Sequence, residues 1–172
     1  MLHLLDFGRP VSPGVPSPMA PTVIPNIAAI KDFVGKPLGT TDWVAVTQDQ
    51  INSFADATGD HQWIHLDAER AARESPFGGT VAHGYLTLAL VPALLPQVLD
   101  VRDTSMAVNY GVERMRLPAP VRAGTRVRLS AEIKDSRAMP SGAARTIVHV
   151  RIEAEGSRKP ACTADVVFVY YP

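Results

Sequence analysis

Asp60 and His65 stand five residues apart in FADATGDHQWIHLDAERA, and His83-Gly84 opens the apolar run YLTLALVPALLPQVL further along the chain. A carboxylate and an imidazole brought together can hold and polarise one water, since histidine titrates nearest physiological pH and both groups accept protons. A glycine at a helix start presents an unpaired main-chain N–H at a partially positive end, where an oxyanion is stabilised. Gly84 also has no side chain to keep a substrate from the backbone. Taken singly, Asp60 reads as a turn residue ending a helix and His65 as a hydrogen-bonded structural histidine. Taken together with Gly84 they form an acid, a base and an oxyanion group converging on one place.

His61 lies four residues before His65, and His83 is near, so a zinc site needs weighing. Two histidines at that spacing share a face only on a helix, and Asp60 to Trp63 lacks a helical pattern. No second carboxylate stands at matching spacing, so no metal is expected. His83 is expected to fix the turn before the helix and His61 to be exposed. His149 falls on the polar face of a strand and His3 in the N-terminal arm, and neither is given a role.

The elements that must position these groups are legible in the periodicity. Thr47 with Gln50 three residues on forms a capping-box pattern, Ile51, Phe54 and Ala55 give an apolar face, and Gly59 is a stop. The Asp60–His65 stretch reads as a loop. Asp67 caps a short polar helix, and a turn at Pro76–Gly79 leads to a helix from Gly84 that is apolar almost all round, hence buried on every side. Pro92 should kink or end it. Short elements are expected before these, a helical turn over 27–33 and a strand over 42–46. After about Thr104 the period changes from 3.6 to 2. Met106, Val108, Tyr110 and Val112 alternate in one strand, Val127 to Ile133 in the next and Val148 to Ala154 in a third. ACTADVVFVYY is apolar on both faces near its end, which suits a central strand. Turns at hairpin spacing make the sheet mostly antiparallel. The fold class is therefore α+β, a curved sheet wrapped around a central buried helix.

A length of 172 residues, 46% hydrophobic and 20% charged, suits one domain with a real core. Residues 1–25 hold six of the fifteen prolines and read as a poorly ordered arm, leaving 26–172 as the single domain. The formal charge of zero gives no global field for nucleic acid. One cysteine, Cys162, fits a reducing compartment and reads as a packed thiol. The apolar run near 85–99 is too short for a membrane span. A cytoplasmic protein without nucleic-acid or membrane partners is the expectation.

FADATGDHQWIHLDAERA, continued through FGGTVAHGYLTLAL and YGVERMRLPAPVRAGTRVRL, resembles the hydratase-2 motif of the MaoC-like dehydratases. These are hotdog-fold proteins that include (R)-specific enoyl-CoA hydratases and nodulation protein N-like members, and the resemblance covers about Thr40 to Val169. It implies a hotdog fold, a homodimer and the hydration of a trans-2-enoyl thioester in fatty acid metabolism. Asp60 and His65 then take the catalytic pair positions, and the Gly84 N–H takes the oxyanion position. Asp60 is expected to take the water's proton, and a protonated member of the pair to deliver one to C2. No metal or redox cofactor is implied, and coenzyme A enters only as part of the substrate. Two departures stand out. Gln62-Trp63 replaces the usual Asn-Pro, and Leu90-Val91-Pro92 carries no hydroxyl where some members have a supporting serine. Trp63, His83, Arg114 and Arg116 are the candidate substrate contacts. The basic cluster of Arg114, Arg116, Arg122, Arg126 and Arg128 suits either the phosphates of a coenzyme A or acyl-carrier group, or a solvated strand face. Thioester hydrolysis on the same fold and a non-catalytic acyl-CoA-binding protein remain as alternatives.

Overall fold

The computed structural model describes residues 20–172. In chain order the strands are β1 (Thr22–Ile24), β2 (Pro37–Thr40), β3 (Val44–Ala45), β4 (Leu99–Val101), β5 (Met106–Arg116), β6 (Arg126–Ala138), β7 (Ala144–Ala154) and β8 (Pro160–Tyr171). The helices are α1 (Gln48–Thr58), α2 (Trp63–Leu66), α3 (Ala68–Glu74), α4 (Gly84–Ala89) and α5 (Val91–Leu94), with 3-10 turns at Ile27–Phe33 and Leu95–Gln97. The period-2 pattern produces the sheet. Its order is β2-β6-β7-β8-β5, antiparallel throughout, with β3 also paired to β6. β8 sits inside it between β7 and β5, as its two apolar faces require. β1 and β4 form a separate parallel pair, which periodicity did not announce.

The inner face carries Val127, Leu129 and Ile133 of β6, Val148, Val150 and Ile152 of β7, and Cys162, Val166 and Phe168 of β8. They pack against Leu86, Val91, Leu94 and Leu95 of the central helical run. Each large apolar side chain so buried contributes about 1.5–3 kcal/mol. Burial alone pushes the Cys162 thiol up to about 11, which makes it inert packing.

Three expectations change. The helix after Gly84 is not buried on every side: Tyr85, Ala89, Pro92 and Ala93 are exposed, because one sheet covers only one flank. The run is broken at Leu90 and tightens to 3-10 geometry at Leu95–Gln97, the early end expected of its prolines. The alternation of Met106, Val108, Tyr110 and Val112 does not give β5 a buried face. A register shift between Asn109 and Gly111 places Val108 opposite Val169 but Val112 opposite Val166, and all four side chains are exposed on an unpaired edge. Of the arm expected over 1–25, the first nineteen residues, His3 among them, lie outside the described residues. Thr22–Ile24 does not belong to an arm: it forms β1, and Ile24 is fully buried. No helix of the described residues is long and apolar enough to cross a membrane.

On the outer face of the sheet, the buried Asp165 accepts from Lys134 Nζ and pairs with His149 Nδ1, both at 2.7 Å. Burial pushes its carboxyl up, but the bonds from Lys134 and His149 outweigh this and hold it below the ordinary 3.8. A carboxyl depressed in the folded state stabilises it fully above the unfolded value, and that contribution is lost as pH falls through the folded value. Asp165→Asn should therefore cost about 1–3 kcal/mol at pH 7. It should also remove part of the stability loss seen below pH 3.8 in wild type, both read from denaturant melts across pH.

Candidate active site

The capping box forms as read: Thr47 Oγ1 accepts from the Gln50 N–H at 3.2 Å and Gln50 Oε1 accepts from the Thr47 N–H at 3.0 Å. Gly59 ends α1 in the left-handed region at φ 77°, where glycine meets no Cβ penalty. This stop turns the chain directly into Asp60. The following stretch is not wholly a loop, because Trp63–Leu66 makes one turn of helix, α2, which carries His65. Asp67 then caps α3 through the Arg70 N–H at 2.9 Å.

His65 is buried, and its Nδ1 lies 2.6 Å from the Val81 carbonyl oxygen. A carbonyl only accepts, so Nδ1 carries the hydrogen and Nε2 keeps its lone pair for the site. The His65 main chain is held as well: its N–H donates to Gln62 O at 3.0 Å, and its carbonyl accepts from Gln48 Nε2 at 2.8 Å. Asp60 is more than half exposed, with a side-chain accessibility of 57%. Even so, one ligand-capable atom from each of Asp60, His65 and His83 lies within 4.8 Å of the other two. The sequence therefore placed the carboxylate and imidazole in one neighbourhood, and the chain brings them there.

His83 does more than fix a turn. Its ring is 3% exposed and stacks on His65 with centroids 3.7 Å apart and planes 25° apart, and Phe54 packs against it at 5.0 Å. His83 Nε2 donates to the Asp60 main-chain oxygen at 2.9 Å, which ties the Asp60 turn to the helix start. Its Nδ1 is buried without a hydrogen-bond partner. The Asp60–His65–His83 trio has the composition of a cation site. Within it, His65 Nδ1 and His83 Nε2 each already face a main-chain carbonyl, of Val81 and Asp60. His61 leaves the group. It is exposed and pairs with Asp56 at 3.0 Å, a contact that raises its pKa.

No acceptor among the described residues takes the Gly84 N–H. A Cβ at position 84 would stand 2.3 Å from Leu117 Cδ1, so Leu117 lies directly over this glycine. His65, Ala82, Gly84, Thr87 and Leu117 line a cavity of about 370 Å³. On the other side of the helix start, Phe54, Tyr85, Leu88, Pro92, Tyr110 and Val112 line a larger apolar groove of about 440 Å³. Asp60 lines neither; Gly84 lines the first and its neighbour Tyr85 the second.

Trp63 lines neither cavity, and the Arg70 guanidinium lies 4.2 Å over its ring. Arg122 donates to Gly78 O at 2.8 Å, and Arg126 and Arg128 pair with Glu155 and Glu153, which makes that part of the basic cluster a strand face. Arg114 and Arg116 are exposed at the end of β5 and line neither cavity. Arg114 has φ 52°, inside the register shift between Glu113 and Arg116. Thr87 was missed. The segment Leu90–Pro92 indeed offers no hydroxyl, but Thr87, one turn after His83, is buried and faces the His65 cavity. Its signal was that of a lone polar residue inside YLTLALV.

The curved antiparallel sheet with the helical run across it defines a hotdog-fold protein. Residues 30–155 match the MaoC like domain, and the chain belongs to that family of hydro-lyases. It is 46% identical over 145 residues to 3-hydroxyacyl-thioester dehydratase Z of Mycobacterium tuberculosis, covering 84% of this chain and 95% of the relative. Over the same length it is 42% identical to nodulation protein N of Rhizobium meliloti, covering 84% and 90%. The solved (R)-hydratase of A. caviae involved in PHA biosynthesis superposes with a TM-score of 0.64 at 24% identity, over 81% of this chain and 96% of that one.

The atom that a Cβ at Gly84 would strike is the tip of a rotatable, half-exposed side chain. Gly84→Ala should therefore fold with a stability within about 1 kcal/mol of wild type. Thermal melts of Gly84→Ala and of Gly84→Ala/Leu117→Ala check this. A large loss in the single variant that the double variant does not recover would show that Leu117 is not the neighbour that matters.

Proposed function

We propose that this chain is an (R)-specific enoyl-CoA hydratase, adding water across the double bond of a trans-2-enoyl thioester and catalysing the reverse dehydration. The observation that carries the reading is the buried His65, its tautomer set by Val81, grouped with Asp60 and His83 and followed in the chain by a Gly84 N–H that no described residue accepts. A water held between Asp60 and Nε2 adds its oxygen to C3. The pair takes one of its protons and returns one to C2, so that H and OH are added and nothing else is consumed. The charge that develops on the thioester oxygen is met by the Gly84 N–H. The sequence gives the proton to Asp60; with Nδ1 committed to Val81, His65 Nε2 is a second candidate acceptor.

The acyl chain is assigned to the apolar groove lined by Tyr85, Leu88, Pro92 and Val112, which begins beside Gly84. The coenzyme A phosphates are assigned to Arg114 and Arg116, which pair with no carboxylate among the described residues, whereas Arg126 and Arg128 pair with Glu155 and Glu153 and Arg122 is turned back onto Gly78. The groove is open along Tyr85 and Tyr110, which are 71% and 68% exposed, and the β5 edge beside it is unpaired and apolar. A second copy pairing at β5 covers both, and we assign a homodimer in a cytoplasmic setting.

Following the loss of enoyl absorbance with crotonyl-CoA and a longer trans-2-enoyl-CoA tests the reaction. Asp60→Asn and His65→Gln should each lower kcat by about 10²–10⁴ while remaining folded. Release of free thiol in place of hydration would make the chain a thioesterase, and binding without turnover would leave an acyl-binding protein. Sedimentation should give twice the chain mass for wild type, and Val108→Lys/Tyr110→Lys should shift it to one chain mass.

A further inference from the structure

Gln48 lies outside the catalytic stretch, in the first turn of α1, yet its carboxamide joins the segments that hold His65. Its Oε1 accepts from Thr80 Oγ1 at 2.6 Å, and its Nε2 donates to the His65 carbonyl at 2.8 Å and to Asn52 Oδ1 at 2.9 Å. The orientation is forced, because a main-chain carbonyl can only accept. The NH₂ must face His65, and the amide oxygen is left for the Thr80 hydroxyl. With both hydrogens and the oxygen in use, the group has no reason to flip.

Its two partners stand on either side of one bond. His65 supplies the Nδ1–H, and Thr80 immediately precedes Val81, whose carbonyl accepts it. Thr80 is itself buried, and its carbonyl accepts from the Ala123 N–H at 3.0 Å, while the Val81 N–H donates to Ile64 O at 3.1 Å. Gln48 is tied to the same frame through Val46, whose N–H and carbonyl pair with Thr125 and Gly124. α2, by contrast, is a single turn without a side-chain cap, too short to hold its own geometry.

We propose that Gln48, acting with Thr80, is a positioning residue that sets the direction of the His65 imidazole by clamping the two main-chain segments spanned by its Nδ1 bond. It touches neither substrate nor reacting atoms, and the proposal rests on the reading of His65 as a member of the reacting pair. Loss of the clamp lets the Nε2 lone pair wander from the held water, and a misplacement of about 1 Å can cost about 10²-fold in rate.

The test uses the full chain and compares wild type with Gln48→Met, Thr80→Val, Thr80→Ser and the double variant Gln48→Met/Thr80→Val. The readouts are steady-state hydration and the imidazole N–H region of the proton NMR spectrum. The His65 resonance is identified by its loss in His65→Gln. Gln48→Met and Thr80→Val should lower kcat about 10–100-fold with KM within about twofold. Thr80→Ser, which keeps the hydroxyl, should behave as wild type, and the double variant should be no worse than the weaker single one. The His65 Nδ1–H signal should broaden in Gln48→Met as its protection from water falls. A kcat for Gln48→Met within about twofold of wild type overturns the proposal, as does full additivity of the two losses. Should Gln48→Met not fold, Gln48→Glu replaces it: it can accept from Thr80 but cannot donate to His65, and should show the same loss. If wild type hydrates no enoyl thioester, the reaction assignment falls by itself. The resonance then decides the clamp: broadening in Gln48→Met supports it and an unchanged signal overturns it.

Discussion

The 2.6 Å bond from His65 Nδ1 to the Val81 carbonyl is the constraint around which the site is arranged. It sets which ring nitrogen carries the hydrogen, leaves the other with its lone pair, and joins the short α2 turn to the segment that leads into Gly84. That segment is in turn paired to the β5–β6 connection, with the Ala82 and Ala123 N–H groups donating to Val121 and Thr80. The imidazole is thus referenced to the sheet through main-chain bonds, while the carboxylate beside it stays exposed at the end of a glycine stop. One group is held firmly and the other stays exposed, the division on which the proposed handling of a water rests.

The helical run across the sheet packs on one flank and borders an open groove on the other. Leu86, Val91, Leu94 and Leu95 fill the concave face of the sheet, while Tyr85, Leu88 and Pro92 line the groove. The prolines that break the run keep it from continuing as one straight helix and leave room beside β5. The same flank leaves the β5 edge and the exposed tyrosines uncovered among the described residues.

Much of this was legible in the residues. The Thr47/Gln50 capping box, the Gly59 stop, the Asp67 cap, the four long strands and the break near Pro92 follow from local rules that depend on a few neighbouring residues. The grouping of Asp60, His65 and Gly84 was legible because their types match one chemistry and their spacing matches a known motif. The partners of distant segments were not. Gln48 reads as an ordinary helix residue until Thr80 and His65 stand beside it, and Leu117 reads as a loop residue until it lies over Gly84. Trp63 carried an aromatic signal that fitted a pocket equally well, and the nearby Arg70 captured it.

The sequence by itself therefore determined the elements, the family and the residue types at the site, since periodicity, caps and motif spacing act over short stretches of chain. Only the tertiary structure decided which nitrogen of His65 carries the hydrogen and which arginines are already paired. It also decided that His83 stacks on His65 and that one flank of the central helix is bare. Those outcomes depend on contacts between segments far apart in the chain, and on a register shift in β5 that sends Val108 and Val112 to opposite faces of the sheet. A one-residue slip of that kind reverses a side chain's direction without altering the pattern from which it is read.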